Sequence, residues 1–95
     1  CFERAVPDLV QSLSEDGFND VSRAIMTTDT VPKTSFSQVD INGTKVSVLA
    51  LAKGSGMIMP DMATMLCFVV TDAQIVFPEL RAAVKASVEK SFNRI

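Results

Sequence analysis

Asn42-Gly43 is the pair that most restricts this chain. It is the residue pair preferred in the tight two-residue turn of an antiparallel hairpin, because both turn positions need a left-handed backbone. Its flanks agree. Ser35 to Ile41 is strand-like, and Lys45 to Ala52 returns with Val46, Val48 and Ala50 on one face. Beyond a Gly54/Gly56 turn and Pro60, the stretch from Thr64 to Thr71 is continuously apolar between its two threonines. That pattern predicts a strand covered on both faces.

Helices are expected on either side of this β region. Val6, Val10 and Leu13 recur at helical spacing, with Pro7 and Asp8 suited to a first turn and Asp16-Gly17 to a stop. Asn19 or Asp20 suits the cap of a short second segment from Val21 to Met26. The hydroxyl-rich run Thr27-Thr28-Asp29-Thr30 reads as a turn held by side-chain to backbone hydrogen bonds. Phe77-Pro78-Glu79 opens a last helix, on which Leu80, Val84, Val88 and Phe92 make a core-facing stripe. Lys85 and Glu89 pair on its solvated side. The order is helix, hairpin, buried strand, helix: an α/β (α+β) chain with no internal repeat or linker.

Ninety-five residues make one domain at most, and a chain of that length buries only ~60–65% of its unfolded surface. An apolar fraction of 47% and a mean hydropathy of +0.27 are high for so small a body. The excess suggests a single partial domain, part of whose apolar surface is covered by chain lying elsewhere. Cys1 in place of a starting methionine fits that reading. Nine basic and eleven acidic residues give a net charge of −2 without runs, so there is no basic stripe for nucleic acid. The longest apolar run, Met65 to Val70, is too short to span a bilayer. Cys1 and Cys67 have neither metal-like spacing nor further cysteine partners, so a reducing cytoplasmic setting is expected.

The chain contains no histidine. It therefore cannot by itself build a Ser-His-Asp triad, a Cys-His dyad or a histidine-ligated zinc site, and no metal or cofactor site is expected. A nucleophile here needs a carboxylate, a lysine or a free α-amine as its base. Thr64 offers the last of these if the bond after Ala63 is cut. Its new α-amine, with a pKa near ~7.7–8.0, would lie beside its own hydroxyl. The minimal side chain of Ala63 allows a tight bend, and Pro60 helps fix it. Lys53, brought back by the glycine turn, would hold an anionic substrate group or lower the pKa of the amine. Taken singly, each of these residues has a plainer explanation: glycines in a turn, methionines as core filler, a threonine as a good β-former.

Two blocks carry a resemblance to a known family. Ile25-Met26-Thr27-Thr28-Asp29-Thr30 with Pro32-Lys33 resembles a signature of the ornithine acetyltransferases, also called glutamate N-acetyltransferases or bifunctional arginine-biosynthesis proteins. Ala52-Lys53-Gly54-Ser55-Gly56-Met57-Ile58, Pro60 and Met62-Ala63-Thr64-Met65-Leu66 resemble the self-cleavage block of that family. Thr71-Asp72-Ala73 and Ser91-Phe92-Asn93-Arg94-Ile95 match as well, so the likeness covers nearly the whole chain. Asp61 stands where asparagine is expected, and Met59 where alanine is commoner.

The resemblance implies an N-terminal-nucleophile-like α/β fold. The precursor would cleave itself between Ala63 and Thr64, leaving residues 1–63 as the end of an α-subunit and 64–95 as the start of a β-subunit. Thr64 would carry an acetyl group from N2-acetyl-L-ornithine to L-glutamate in a ping-pong cycle of arginine biosynthesis, and Thr27, Lys53 and Thr64 would bind substrate. It further implies acetyl-CoA as a co-substrate where the parent is bifunctional, and a heterotetramer of two α and two β subunits. A threonine-glycine oxyanion element and further substrate residues would lie on the rest of the precursor. Without oxyanion donors an acyltransferase loses ~100–1000-fold in rate, so this segment alone is expected to be inactive or nearly so. Two other readings compete. One is a threonine-nucleophile amidohydrolase or aminopeptidase of similar fold. The other is a non-catalytic truncated segment.

Overall fold

The computed structural model describes residues 2–55 and 65–94. Its elements are helices α1 (Phe2–Gln11) and α2 (Phe18–Ala24), strands β1 (Lys33–Ile41), β2 (Thr44–Lys53) and β3 (Leu66–Thr71), helix α3 (Phe77–Lys90) and a short 3-10 turn at Phe92–Arg94. The mixed α/β class and the element order are those expected from the sequence.

The sheet is antiparallel, in the order β1-β2-β3. The hairpin forms where expected: Asn42 (φ 54°) and Gly43 (φ 83°) both take the left-handed conformation, and Asp40 Oδ1 accepts the Gly43 N–H at 2.7 Å. Ile41 pairs with Thr44 across this turn, and Lys33 with Ala52 at the far end. β2 and β3 pair from Val48 and Thr71 to Lys53 and Leu66. The Thr71-Asp72-Ala73 motif secures the end of β3. Thr71 Oγ1 donates to the Ser47 carbonyl at 2.7 Å, Asp72 Oδ1 accepts the Ser47 N–H at 2.7 Å, and the Ala73 N–H returns to Thr71 Oγ1 at 3.1 Å. Side chains thus take over the ladder where strand pairing stops.

The core is small. α2 lies against the central strand β2, where Leu51 is the one buried apolar residue among those described. Ser22 of α2 is also buried, its hydroxyl donating to the Asn19 carbonyl at 2.7 Å. The radius of gyration, 15.6 Å, exceeds the ~12 Å of a compact domain of this length.

Several local expectations need correction. α1 begins by Phe2 and ends at Gln11, so Pro7 sits inside it rather than in its first turn, and the helix has already stopped before Asp16-Gly17. Gly17 is instead the residue that caps α2, which runs from Phe18 to Ala24 rather than from Val21 to Met26, without a side-chain cap from Asn19 or Asp20. β3 is not covered on both faces by this chain: Val69 and Val70 are 58% and 61% exposed. The stripe on α3 meets no core either, with Leu80 and Val84 exposed and Val88 and Phe92 half-buried. The physical reason is the same in both cases: the described residues provide no second layer over these surfaces. Lys85 and Glu89 form no ion pair. Glu89 Oε1 instead accepts from Asn93 Nδ2 at 3.2 Å, one turn further along. Pro78, by contrast, lies at the start of α3 as expected.

Candidate active site

Two polar segments meet at the end of the sheet where β1 begins and β2 ends. The first carries Thr27 to Lys33 and connects α2 to β1. Its carboxylate, Asp29, accepts from nearby backbone as the sequence suggests, whereas the Thr28 hydroxyl meets the Ser55 side chain rather than local backbone. The second begins at Gly54, directly after Lys53. Gly54 has φ 140°, a conformation that side-chain-bearing residues rarely adopt.

Asp29 joins them. Its Oδ1 accepts the Gly54 N–H at 2.8 Å and pairs with the Lys33 ammonium one helical-turn spacing along the chain. Its Oδ2 accepts the Thr27 N–H at 3.4 Å. The Asp29 side chain is only 1% exposed, so this charge sits inside the junction with its acceptor atoms satisfied. The ion pair with Lys33 and the bond from Gly54 together hold the carboxyl pKa down at about 2. A second bond set runs alongside. The hydroxyls of Thr28 and Ser55 are 2.9 Å apart, and Ser55 Oγ lies 3.0 Å from the Thr28 carbonyl, to which it donates.

Of the residues predicted to act, Thr27 is exposed on the first turn, and Lys53 is half-buried as the last residue of β2. The Asp29 bridge brings the Thr27 backbone and the residue after Lys53 to one carboxylate. Strand alternation puts Lys53 on the same face as buried Leu51. Opposite Lys53 stands Leu66, and Thr64 precedes Leu66 by two residues in the sequence. Ala63 and Thr64, the expected cleavage site and nucleophile, lie outside the described residues, as does Pro60. Asp29 was not singled out from the sequence as a site residue. The available signal was an acidic residue among hydroxyls with a lysine four positions on, but its bond to Gly54 spans twenty-five positions and leaves no local trace.

Cys67 is a free, half-buried thiol on β3, and burial raises its pKa. Among the described residues there is no cluster of three or more side chains suited to a metal ion, and no helix long and apolar enough to cross a membrane.

The sequence pattern of the ArgJ family matches residues 1–95. This chain belongs to the ArgJ family. It is 52% identical over 94 residues to the arginine biosynthesis bifunctional protein ArgJ of Desulfotalea psychrophila, an alignment covering 99% of this chain and 24% of that protein. It is 50% identical over 93 residues to the mitochondrial ArgJ of Heterostelium pallidum, covering 98% of this chain and 21% of the relative. Against ArgJ of Rhizobium meliloti the identity is 47% over 94 residues, or 99% of this chain and 23% of the other. The chain thus spans about a quarter of the length of the curated ArgJ relatives it matches.

Proposed function

We propose that this chain is the nucleophile-bearing segment of an acetyltransferase that moves the acetyl group of N2-acetyl-L-ornithine to L-glutamate in arginine biosynthesis. Membership of the ArgJ family gives the biosynthetic setting. The observation that carries the reading to these residues is the Asp29 bridge, which gathers the Thr27 turn and the residue after Lys53 at one end of the sheet.

In this reading the Thr64 hydroxyl attacks the Ala63 carbonyl, the C–N bond breaks, water hydrolyses the resulting ester, and the freed α-amine of Thr64 serves as its base. The amine takes the proton of Thr64 Oγ as the oxygen attacks the acetyl carbonyl. The amide C–N bond breaks, the ornithine amine leaves with that proton, and the acetyl group remains as an ester on Thr64. The glutamate α-amine then attacks the ester carbonyl, the C–O bond breaks, and the proton the glutamate amine loses passes through the Thr64 α-amine to Thr64 Oγ. Thr27 supplies a hydroxyl for the substrate. Lys53 attracts a substrate carboxylate and disfavours protonation of the neighbouring amine, which keeps the base ready near neutral pH. Oxyanion donors come from elsewhere in the precursor. The cleaved subunits assemble as two α and two β chains in the cytoplasm, and acetyl-CoA is the second acetyl donor where the parent is bifunctional.

Intact-mass measurement of the full-length protein tests this directly. Two chains should appear, the second starting at Thr64 and gaining one acetyl group on incubation with N2-acetyl-L-ornithine. Thr64→Ala should stay as one chain and transfer nothing. A Thr64→Ala protein that still cleaved and turned over would sink the proposal. Release of free acetate in place of acetylglutamate would point to a hydrolase instead.

A further inference from the structure

We propose that Asp29 is a positioning residue of this transfer site: its carboxylate clamps the Thr27 turn to the Lys53-Gly54 peptide and so fixes the two substrate-binding side chains relative to each other. The inference rests on the reading of Thr27 and Lys53 given above.

Three features of the bridge support a clamp rather than a general packing role. Besides its ion pair with Lys33, Asp29 holds backbone in both segments, through the Thr27 N–H and the Gly54 N–H. A bond to the Gly54 nitrogen fixes the plane of the peptide that links Lys53 to Gly54, and with it the direction in which Lys53 leaves the strand. Gly54 sits at φ 140°, outside the range of ordinary residues, so the chain direction after Lys53 depends on this tether and on the absence of a side chain. The ion pair with Lys33 meets the charge of Asp29, so the clamp does not neutralise the Lys53 ammonium that the site uses. The Thr28–Ser55 hydroxyl contact closes the same joint one residue further out on each segment, yet it is exposed and uncharged. The buried carboxylate is therefore the stronger of the two ties.

The test uses the full-length protein as wild type, Asp29→Asn and Asp29→Ala. Acetyl transfer from N2-acetyl-L-ornithine to glutamate is measured per acylatable site, and exchange of the Gly54 amide hydrogen is followed in parallel. Asp29→Asn keeps the size of the side chain and one carbonyl oxygen, so it is the milder of the two changes. The KM for N2-acetyl-L-ornithine should rise about tenfold in Asp29→Asn and further in Asp29→Ala, in line with loss of a charge-assisted hydrogen bond and misplacement of a positioning group. Gly54 exchange should accelerate in the same order. An unchanged KM with only a lower yield or a lower Tm would show a structural role and overturn the proposal. If the wild type transfers no acetyl group, the reading of the site fails separately. Gly54 exchange then decides the clamp, and an unchanged rate in Asp29→Ala would overturn it.

Discussion

At the junction of the Thr27 turn and the Gly54 backbone, the partners are all inside the segment. On the flanks of the sheet, they are almost all missing. Asp29 is buried to 1% side-chain exposure, and its oxygens meet two backbone N–H groups and a lysine. Among the described residues no buried side-chain nitrogen or oxygen lacks a hydrogen-bond partner. Yet Phe2, Leu13, Phe36, Val69, Val70 and Phe77 are each more than half exposed. Hydrogen bonds are local and directional, so one stretch of chain can satisfy another across a single contact. Apolar burial is a matter of area, and needs a second layer that these residues do not provide. The contrast locates the self-sufficient part of the segment at its polar joint, not at its core.

The contrast breaks most easily on the apolar side. In the full-length protein, Val69→Asp should destabilise by about 3–5 kcal/mol, because a carboxylate would then be buried without a partner. Loss of soluble protein or a large fall in Tm would confirm that the face is covered. A variant with wild-type Tm would show that β3 is solvent-facing in the parent as well.

The polar side is probed by Gly54→Ala. Forcing a Cβ onto a backbone at φ 140° should cost about 1–3 kcal/mol and loosen the tether to Asp29. Chemical denaturation of the full-length protein would give the shift in midpoint. At the opposite end of the sheet, Gly43 has φ 83° with open space where a Cβ would go. Gly43→Ala should therefore cost only the backbone term, about 1 kcal/mol, with no loss of transfer activity. An activity loss in Gly43→Ala would erase the distinction between the two ends of the sheet.

The smallest effect at working pH is that of acid. Asp29 has a carboxyl pKa lowered from 3.8 to about 2, so its charged form is favoured by folding. The resulting stability is fully present above the unfolded value near pH 4, and is lost as the pH falls towards 2. Gly54 amide exchange should be insensitive to Asp29 titration from neutrality to about pH 4 and should then lose protection below it, after correction for intrinsic exchange. The same drop should vanish in Asp29→Asn.

Legibility followed the range of the interactions. Asn42-Gly43 and Pro78 were readable because a turn type and a helix start are decided by adjacent residues. The strand limits were nearly right for the same reason. Pro7 misled, because a proline is a good first-turn residue but is also tolerated inside α1, where its missing N–H leaves one helical bond unmade. The apolar runs of β3 and α3 predict covered surfaces, and the described residues leave them exposed. Asp29 was the opposite case: its partner at Gly54 lies far along the chain, so only the fold could reveal it. For Thr64 the argument remains one of chemistry: without histidine, few other bases are open to it.

The pairing of β2 with β3 has a consequence for a chain that is severed after Ala63. β2 lies wholly before that bond and β3 wholly after it, yet the two are neighbours from Val48 and Thr71 to Lys53 and Leu66. A cut would turn one sheet into a sheet shared by two polypeptides, with the central strand belonging to one and an outer strand to the other. Their association would not have to be won by encounter in solution. It would be established while both strands were still one molecule and inherited afterwards as main-chain pairing, so dilution alone would be a poor way to separate the halves.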